Sequence, residues 1–136
     1  MTLAEFIRTD FSLLAYLNNK LIFRSKKCGI EPLLDYLQEH SSLKSGVVFF
    51  DKIVGRCAAL LLIKANAGMV YTPEISKAGL SVLRKYQIPC FYLKKIPHVL
   101  NRSKTGTCPM ELFSYKKSPD QLYHLLLKGT PPHQAK

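Results

Sequence analysis

Residues 46–65 read GVVFFDKIVGRCAALLLIKA, and this stretch decides the fold class. The run from Val47 to Phe50 is short, β-branched and aromatic, without alternation, which is typical of a strand covered on both faces. Residues 53–65 are apolar at nearly every position, which predicts a helix packed on almost all sides. A buried strand that leads into a buried helix indicates an α/β fold.

Upstream of this stretch, the sequence predicts a hairpin and a helix. Apolar residues 11–17 and 21–23 flank Asn18 and Asn19, and Asn tolerates the positive φ that tight hairpin turns need. Pro32 stands where a first helical turn accepts proline, so a helix is expected over 32–40. A short helix is also expected over 2–9.

Downstream, strands and helices alternate. The expected elements are a strand at 69–72, a helix that begins at Thr72-Pro73 or Ser76, a strand at 90–93, a loop over 94–107, and helices at 109–113 and 119–127. This order predicts one three-layer α/β/α domain over residues 1–128, built on a five-stranded mixed sheet with an N-terminal hairpin. Residues 129–136 are expected to form a disordered tail.

Composition and charge point to an anionic partner. The 136 residues are 47% hydrophobic, so the chain can bury a core without disulfides. Lys and Arg outnumber Asp and Glu by 20 to 9, for a net charge of +11, and residues 51–136 carry almost all of the excess. This excess favours a phosphate, nucleotide or nucleic acid, although a basic surface that only serves solubility explains it equally well.

The chain has no apolar run of membrane-spanning length, and charged residues interrupt residues 1–17, where a signal peptide would need an apolar core. We therefore expect a soluble, cytoplasmic protein with no membrane partner. Cys28, Cys57, Cys90 and Cys108 are too scattered for a disulfide framework or a zinc ribbon.

Three segments carry a resemblance to a known family. They are CGIEPLL at 28–34, VFFDKIVGRCAALL at 48–61 and NRSKTGTCPME at 101–111. The sequence resembles, over most of residues 10–113, a small bacterial family of unknown function that is grouped with the cytidine-deaminase-like superfamily. The resemblance implies a cytidine-deaminase-like fold and a pocket position, without an agreed chemistry.

The same resemblance implies that zinc chemistry is absent. Deaminases of that superfamily place His-x-Glu or Cys-x-Glu at the start of one core helix and Pro-Cys-x-x-Cys at the start of the next, because zinc needs three such ligands and the Glu moves protons. Here the corresponding segments are DKIVG at 51–55 and TPEIS at 72–76. We therefore expect no metal, no cofactor and no hydrolytic deamination by that mechanism.

Asp51, Lys52 and Gly55 are candidate ligand residues, because they follow a central strand at the edge where α/β sheets bind ligands. Lys52 could contact a phosphate, and Asp51 could accept hydrogen bonds from a hydroxyl or a base. The alternatives are that Asp51 caps the helix, which we favour, and that Lys52 is solvated. Gly55 indicates close packing against the sheet or, less often, close approach of a ligand.

The segment 101–111 is the second candidate region, since it combines polar side chains with a proline-initiated helix. It predicts a phosphate or nucleotide clamp, with an ordinary polar loop as the alternative. Cys108 is a weak nucleophile candidate with His98 as its base, and is more consistent with a buried or capping residue. Glu111 is interpreted as a capping-box partner rather than a proton shuttle. The candidate residues in this segment are Asn101, Arg102, Thr105, Gly106, Thr107, Cys108 and Glu111.

A basic run beside aromatic residues raises nucleic-acid binding as a further alternative. Cations interleaved with aromatics can bind single strands. However, Phe91 is expected to alternate into the core, and no nucleic-acid-binding motif is present. The residues concerned are Lys94, Lys95, His98, Arg102 and Lys104, next to Phe91 and Tyr92.

The leading hypothesis is a zinc-free deaminase-fold protein that binds a small anionic ligand, such as a nucleotide or a nucleotide derivative. The ligand would lie in a cleft between residues 51–55 and 101–111. The alternatives are an enzyme of unknown reaction type that uses Cys108 or Asp51, and a non-catalytic interaction or nucleic-acid module. The sequence leaves a homodimer open.

Overall fold

A computed structural model of the chain describes residues 1–40, 45–100 and 106–128. The predicted tail and three predicted ligand residues, Asn101, Arg102 and Thr105, lie outside this part. The elements are α1 (Leu3–Arg8), β1 (Leu13–Leu17), β2 (Lys20–Ser25), α2 (Glu31–Glu39), β3 (Val47–Asp51), β4 (Ile53–Val54), α3 (Arg56–Lys64), β5 (Ala67–Ser76), α4 (Lys77–Lys85), β6 (Cys90–Ile96), α5 (Pro109–Phe113) and α6 (Pro119–Lys128).

The strands form one mixed sheet in the spatial order β2-β1-β3-β5-β6. β1 is antiparallel to both β2 and β3, whereas β3, β5 and β6 run parallel. Asn18 and Asn19 have φ values of 52° and 64°, so they form the predicted hairpin turn. The expected mixed α/β architecture with an N-terminal hairpin is therefore observed.

The sheet of the described residues has six strands rather than the five expected, because the third one is interrupted. β3 pairs with the first half of β5, and the two-residue β4 pairs with Glu74 and Ile75 farther along the same edge. Lys52 separates β3 from β4 and stands opposite Pro73 in this register. Proline has no N–H to donate, so the hydrogen bonds between the two strands are interrupted at Pro73.

The interruption corrects two sequence predictions. Residues 53 and 54 are a strand, so α3 begins at Arg56 and not at residue 53. β5 extends over ten residues and includes Pro73, whereas the sequence predicted only 69–72. Of the two proposed starts for the following helix, Ser76 is the right one, since it is the N-cap of α4.

The core lies on both faces of the sheet. On one face, Ala15 and Phe49 belong to a large cluster that includes α3 and the buried residues of α6. On the other face, Leu14 and Phe50 pack against Leu3 and Phe6 of α1. Residues 57–62 of α3 are all buried, as predicted for a helix that is apolar on nearly all sides.

The orientation of β6 differs from the expectation. The strand continues to Ile96, into the predicted loop. Tyr92 packs against the large core cluster, and Phe91 is 50% exposed instead of alternating into the core. Successive side chains of a strand point to opposite faces. Phe91 therefore lies on the face of the sheet against which α1 packs. Among the described residues, no helix is long and apolar enough to cross a membrane.

Candidate functional site at the carboxyl edge of the sheet

Two helices begin side by side at the carboxyl edge of the parallel strands. α3 follows β4, and α4 follows β5, with Ser76 Oγ accepting the N–H of Gly79 at 2.9 Å. A Cβ placed on Gly79 would lie 2.8 Å from the carbonyl oxygen of Val54 and 3.0 Å from that of Gly55. Only glycine lets the start of α4 approach the start of α3 this closely.

The start of α3 is capped by a residue distant in sequence. Gly55 is the N-cap and has no side chain to accept the free N–H groups of the first turn. The Glu111 carboxylate accepts the N–H group of Cys57 at 3.3 Å, and the N–H group of Arg56 also lowers its pKa. Its other oxygen accepts the Ser76 hydroxyl at 3.4 Å. Glu111 is only 9% exposed, so one buried carboxylate joins both helix starts.

Glu111 does not form the capping box that the sequence suggested. That arrangement requires its side chain to accept the N–H of Cys108, which instead donates to the Val99 carbonyl at 2.7 Å. The carboxylate therefore caps α3 and not its own helix. The absence of a capping side chain at Gly55 is the signal in the sequence, although spacing alone could not identify the partner 56 residues away.

The packing around Gly55 explains why this residue is a glycine. A Cβ there would overlap the Glu111 carboxyl group and lie 2.8 Å from Val99 Cγ2. Thr107 pairs with Leu100 in an antiparallel bridge, which holds the chain next to this point. The structure thus packs Gly55 directly against Glu111 and Val99, while the cleft predicted between 51–55 and 101–111 stays a prediction.

Burial controls the ionisation of the two groups at the centre of the site. It raises the pKa of Glu111 above its ordinary value, against the opposing effect of the donors from Cys57, Arg56 and Ser76. Burial also raises the pKa of the Cys57 thiol, and the adjacent Glu111 carboxylate raises it further. Cys57 is therefore a neutral thiol in the first turn of α3.

Cys108 lies next to this centre, since it adds to the raised pKa of Cys57, and Gly106 is a half-buried residue two positions before it. Cys108 is the N-cap residue of α5, its side chain makes no capping hydrogen bond, and it packs against the large core cluster. These contacts agree with the interpretation of Cys108 as a capping position with a partly buried side chain. His98, the suggested base, is exposed in the segment after β6.

Asp51 is the last residue of β3 and does not cap α3, because β4 separates the two. The Lys52 N–H donates to the Ser12 carbonyl at 3.2 Å. Burial raises the pKa of Asp51 to about 7, and the nearby backbone N–H groups of Ile53 and Lys52 oppose that rise. The group can therefore change its charge near neutral pH.

Lys52 is bound to the N-terminal segment. Its ammonium group donates to the carbonyl oxygens of Thr9 at 2.7 Å and Phe11 at 2.8 Å, and lies 4.6 Å from the centre of the Phe6 ring. These contacts tie the end of α1 to the sheet. Lys52 is thus not the solvated cation of the alternative interpretation, and it would have to leave two carbonyls to contact a phosphate.

One surface depression of the described residues lies elsewhere. It has a volume of about 710 Å³ and is found between the end of α5 and α6, where Tyr115, Lys117 and His124 line it. The second lies beside β2 and α2. Within the described ranges, no group of three His, Cys, Asp or Glu side chains could hold a metal ion.

Comparison with known proteins places the chain in a family. Residues 2–128 match the family model described as TM1506, domain of unknown function (DUF1893). The chain belongs to the DUF1893 family. It is similar to the crystal structure of a DUF1893 family protein (TM1506) from Thermotoga maritima, with 31% sequence identity and a TM-score of 0.83 over 93% of this chain and 85% of that one. A search of curated proteins gave no match.

Proposed function

We propose that this DUF1893 protein binds a small anionic ligand, such as a nucleotide or a nucleotide derivative, at the carboxyl edge of its sheet. The ligand would lie between the start of α3 and the segment that leads into α5. The excess of basic residues in the second part of the chain supports an anion. Ligands of α/β sheets characteristically bind at this edge.

The observation that carries the proposal is the buried carboxylate of Glu111. The N–H group of Cys57 already donates to a carboxyl group there, which the protein itself supplies. Helix N-termini favour phosphate and carboxylate groups because their free N–H groups and the helix dipole both attract negative charge. A ligand phosphate would replace Glu111, and the displaced side chain and α5 would move outwards.

In this proposal the protein has a cytidine-deaminase-like fold that lacks the zinc ligands of that superfamily. The hairpin followed by parallel strands in the order β3-β5-β6, with α3 and α4 starting at one edge, supports this fold. The segments 51–55 and 72–76 offer neither His nor Cys, and the Cys57 pKa is raised, so that position disfavours a thiolate ligand. Metal analysis of the purified protein tests this part, and stoichiometric zinc would refute it.

A thermal-shift screen over phosphate, nucleotides and sugar phosphates tests ligand binding. Saturation at 100 times Kd stabilises a protein by about 2.7 kcal/mol, which corresponds to a Tm increase of roughly 9 °C at this chain length. Glu111→Gln should bind an anion about tenfold more tightly than the wild type, because the ligand no longer competes with a carboxylate.

Glu39→Gln is the matched control, since it removes the same charge from an exposed position on α2. It should leave both the Tm shift and the affinity unchanged. If no compound shifts Tm in the wild type or in Glu111→Gln, the proposal is wrong. Equal gains in affinity for both variants would locate the anion site away from Glu111.

Acid–base catalysis by Asp51 is a second candidate function. A carboxyl group with a pKa of about 7 can donate and accept a proton near neutral pH. Titration of the Asp51 side chain by carbon-detected NMR tests it. A measured pKa near 4 would remove the only observation that favours this role.

A further inference from the structure

The surface formed by α4 and β6 combines cations with exposed apolar rings. From residue 77 to residue 110 the sequence contains seven Lys and Arg residues and no Asp or Glu. The five of these that lie in the described part are all exposed: Lys77, Arg84, Lys85, Lys94 and Lys95. We call α4 and β6 with these side chains the basic edge. Glu74, which stands opposite Lys94 in the sheet register, is the acidic side chain that faces it.

A row of aromatic rings crosses the sheet and ends at the basic edge. Phe50 and Tyr71 are stacked, with ring centres 4.9 Å apart, and the Phe91 ring lies 6.3 Å beyond Tyr71. β6 is the last strand on this side of the sheet in the described residues, and Phe91 is 50% exposed. Leu93, two residues further along the strand, is 60% exposed. The row therefore ends in the solvent-accessible ring of Phe91.

We propose that the basic edge binds single-stranded nucleic acid. A base would stack on Phe91 and lie against Leu93, which extends the row of rings. The phosphates would contact Lys95 on the same face of β6, and Lys94 and the cations of α4 across the open edge of the strand. Single-strand binding proteins combine these two features, because every base has a stacking face and every nucleotide carries a negative charge.

Charge and stacking select this partner over the others. A duplex keeps its bases stacked on each other and offers no free ring face to Phe91. A second copy of this chain would bring a net charge of +11 against the same cations. An acidic polypeptide would pair with the cations, but its carboxylate side chains would not stack on the Phe91 ring.

Fluorescence anisotropy with labelled 20-nucleotide oligo(dT) and oligo(U) tests the proposal at 50 mM salt. We expect binding in the micromolar range that weakens with salt. The matched duplex and polyglutamate should bind at least tenfold more weakly. Equal binding of the duplex or of polyglutamate would overturn the proposal, as would no binding of either single strand at 100 μM protein.

Two variants separate stacking from charge. Phe91→Ala should weaken single-strand binding roughly 5- to 150-fold while the salt dependence keeps its slope. Lys94→Gln/Lys95→Gln should reduce the slope of log K against log salt by about 0.7 for each lost phosphate contact. Both alter exposed side chains, and unchanged circular dichroism spectra verify their folding.

Lys20→Gln/Lys26→Gln is the charge-matched control on the opposite edge of the sheet, where both lysines are exposed. It should retain wild-type affinity and slope. If this control loses as much affinity as Lys94→Gln/Lys95→Gln, or if Phe91→Ala binds like the wild type, the basic edge is not the binding surface. The wild type should remain monomeric in sedimentation at these concentrations, and self-association lost in Phe91→Ala would assign the surface to a second copy.

Discussion

Tyr36 stands in the middle of the core with its ring fully packed. It lies edge-on to Phe23 and Phe49 and stacks on His40, with ring centres 4.8 Å apart in the last case. Its hydroxyl is a buried side-chain polar atom without a hydrogen-bond partner among the described residues. Burial also raises the pKa of this hydroxyl. The ring stabilises the fold, and the hydroxyl opposes it.

Tyr36→Phe should therefore increase the free energy of unfolding by about 1 kcal/mol, because the desolvation cost of an unpaired hydroxyl disappears and no hydrogen bond is lost. Urea denaturation measures the change. Tyr86→Phe, at an exposed ring, should have no effect. A destabilised Tyr36→Phe protein would show that the hydroxyl has a partner.

Asp51 makes stability depend on pH. Its pKa rises from 3.8 to about 7 on folding, so the folded state holds the proton more tightly than the unfolded state. The free energy of unfolding should fall as pH rises from about 4 to 7, by at most about 4 kcal/mol, and stay at the lower level above pH 7. Glu111, whose pKa is also raised, adds a dependence of the same sign.

Asp51→Asn should remove the Asp51 part of this dependence. The variant should be more stable than the wild type at pH 8 and close to it at pH 4, since an amide is uncharged like the protonated carboxyl group and has nearly the same size. Chemical denaturation between pH 4 and pH 8 provides the comparison. Parallel curves for the two proteins would mean that Asp51 titrates at its ordinary pKa.

Among the elements, α3 and α4 depend on each other at their starts. Gly79 touches the backbone of Val54 and Gly55, and Ser76 both caps α4 and donates to Glu111. These contacts leave no room for a side chain at position 79. The geometry of the candidate site is therefore set by helix packing more than by its own side chains.

Gly79→Ala should cost about 1–3 kcal/mol of stability, because the new methyl group would meet backbone atoms that have no room to move. An alanine usually stabilises a helix by up to about 1 kcal/mol relative to glycine, so the sign of the change is informative. Ser81→Ala, at an exposed position of α4, is the control. Thermal unfolding that shows Gly79→Ala at or above wild-type Tm would refute the close approach.

Elements that depend only on residues close in sequence could be predicted from the sequence. The Asn18-Asn19 turn, the five residues of α5 and the buried character of α3 could all be predicted from neighbouring residues. The break at Lys52 could not, because it depends on Pro73 in a different strand. The capping of α3 by Glu111 and the exposure of Phe91 likewise depend on which segments the sheet brings together.

At the scale of the whole molecule, charge repulsion opposes folding. The net charge is +11, and each ion pair among the described residues has at least one partner that is more than half exposed. Exposed pairs contribute at most about 1 kcal/mol each. These pairs therefore add little stability, while the excess of like charge acts against the compact state.

Added salt should stabilise the protein. Between 20 mM and 300 mM NaCl the Debye length falls below about 10 Å, which screens the repulsion between separate surface cations. We expect a higher Tm in 300 mM NaCl and a smaller increase for Lys94→Gln/Lys95→Gln, which carries two fewer charges. A Tm that falls with salt would show that the ion pairs dominate.

Because α3 packs against Glu111 and α6, which are synthesised last, its contacts are incomplete while the chain is still on the ribosome. When β6 has emerged, the N–H group of Cys57 still lacks its acceptor, and the side of α3 that α6 will cover faces water. Leu122 and Leu126 arrive only with the last helix. A nascent chain that stalls before residue 111 thus exposes an unfinished apolar helix, which is the kind of surface that chaperones bind.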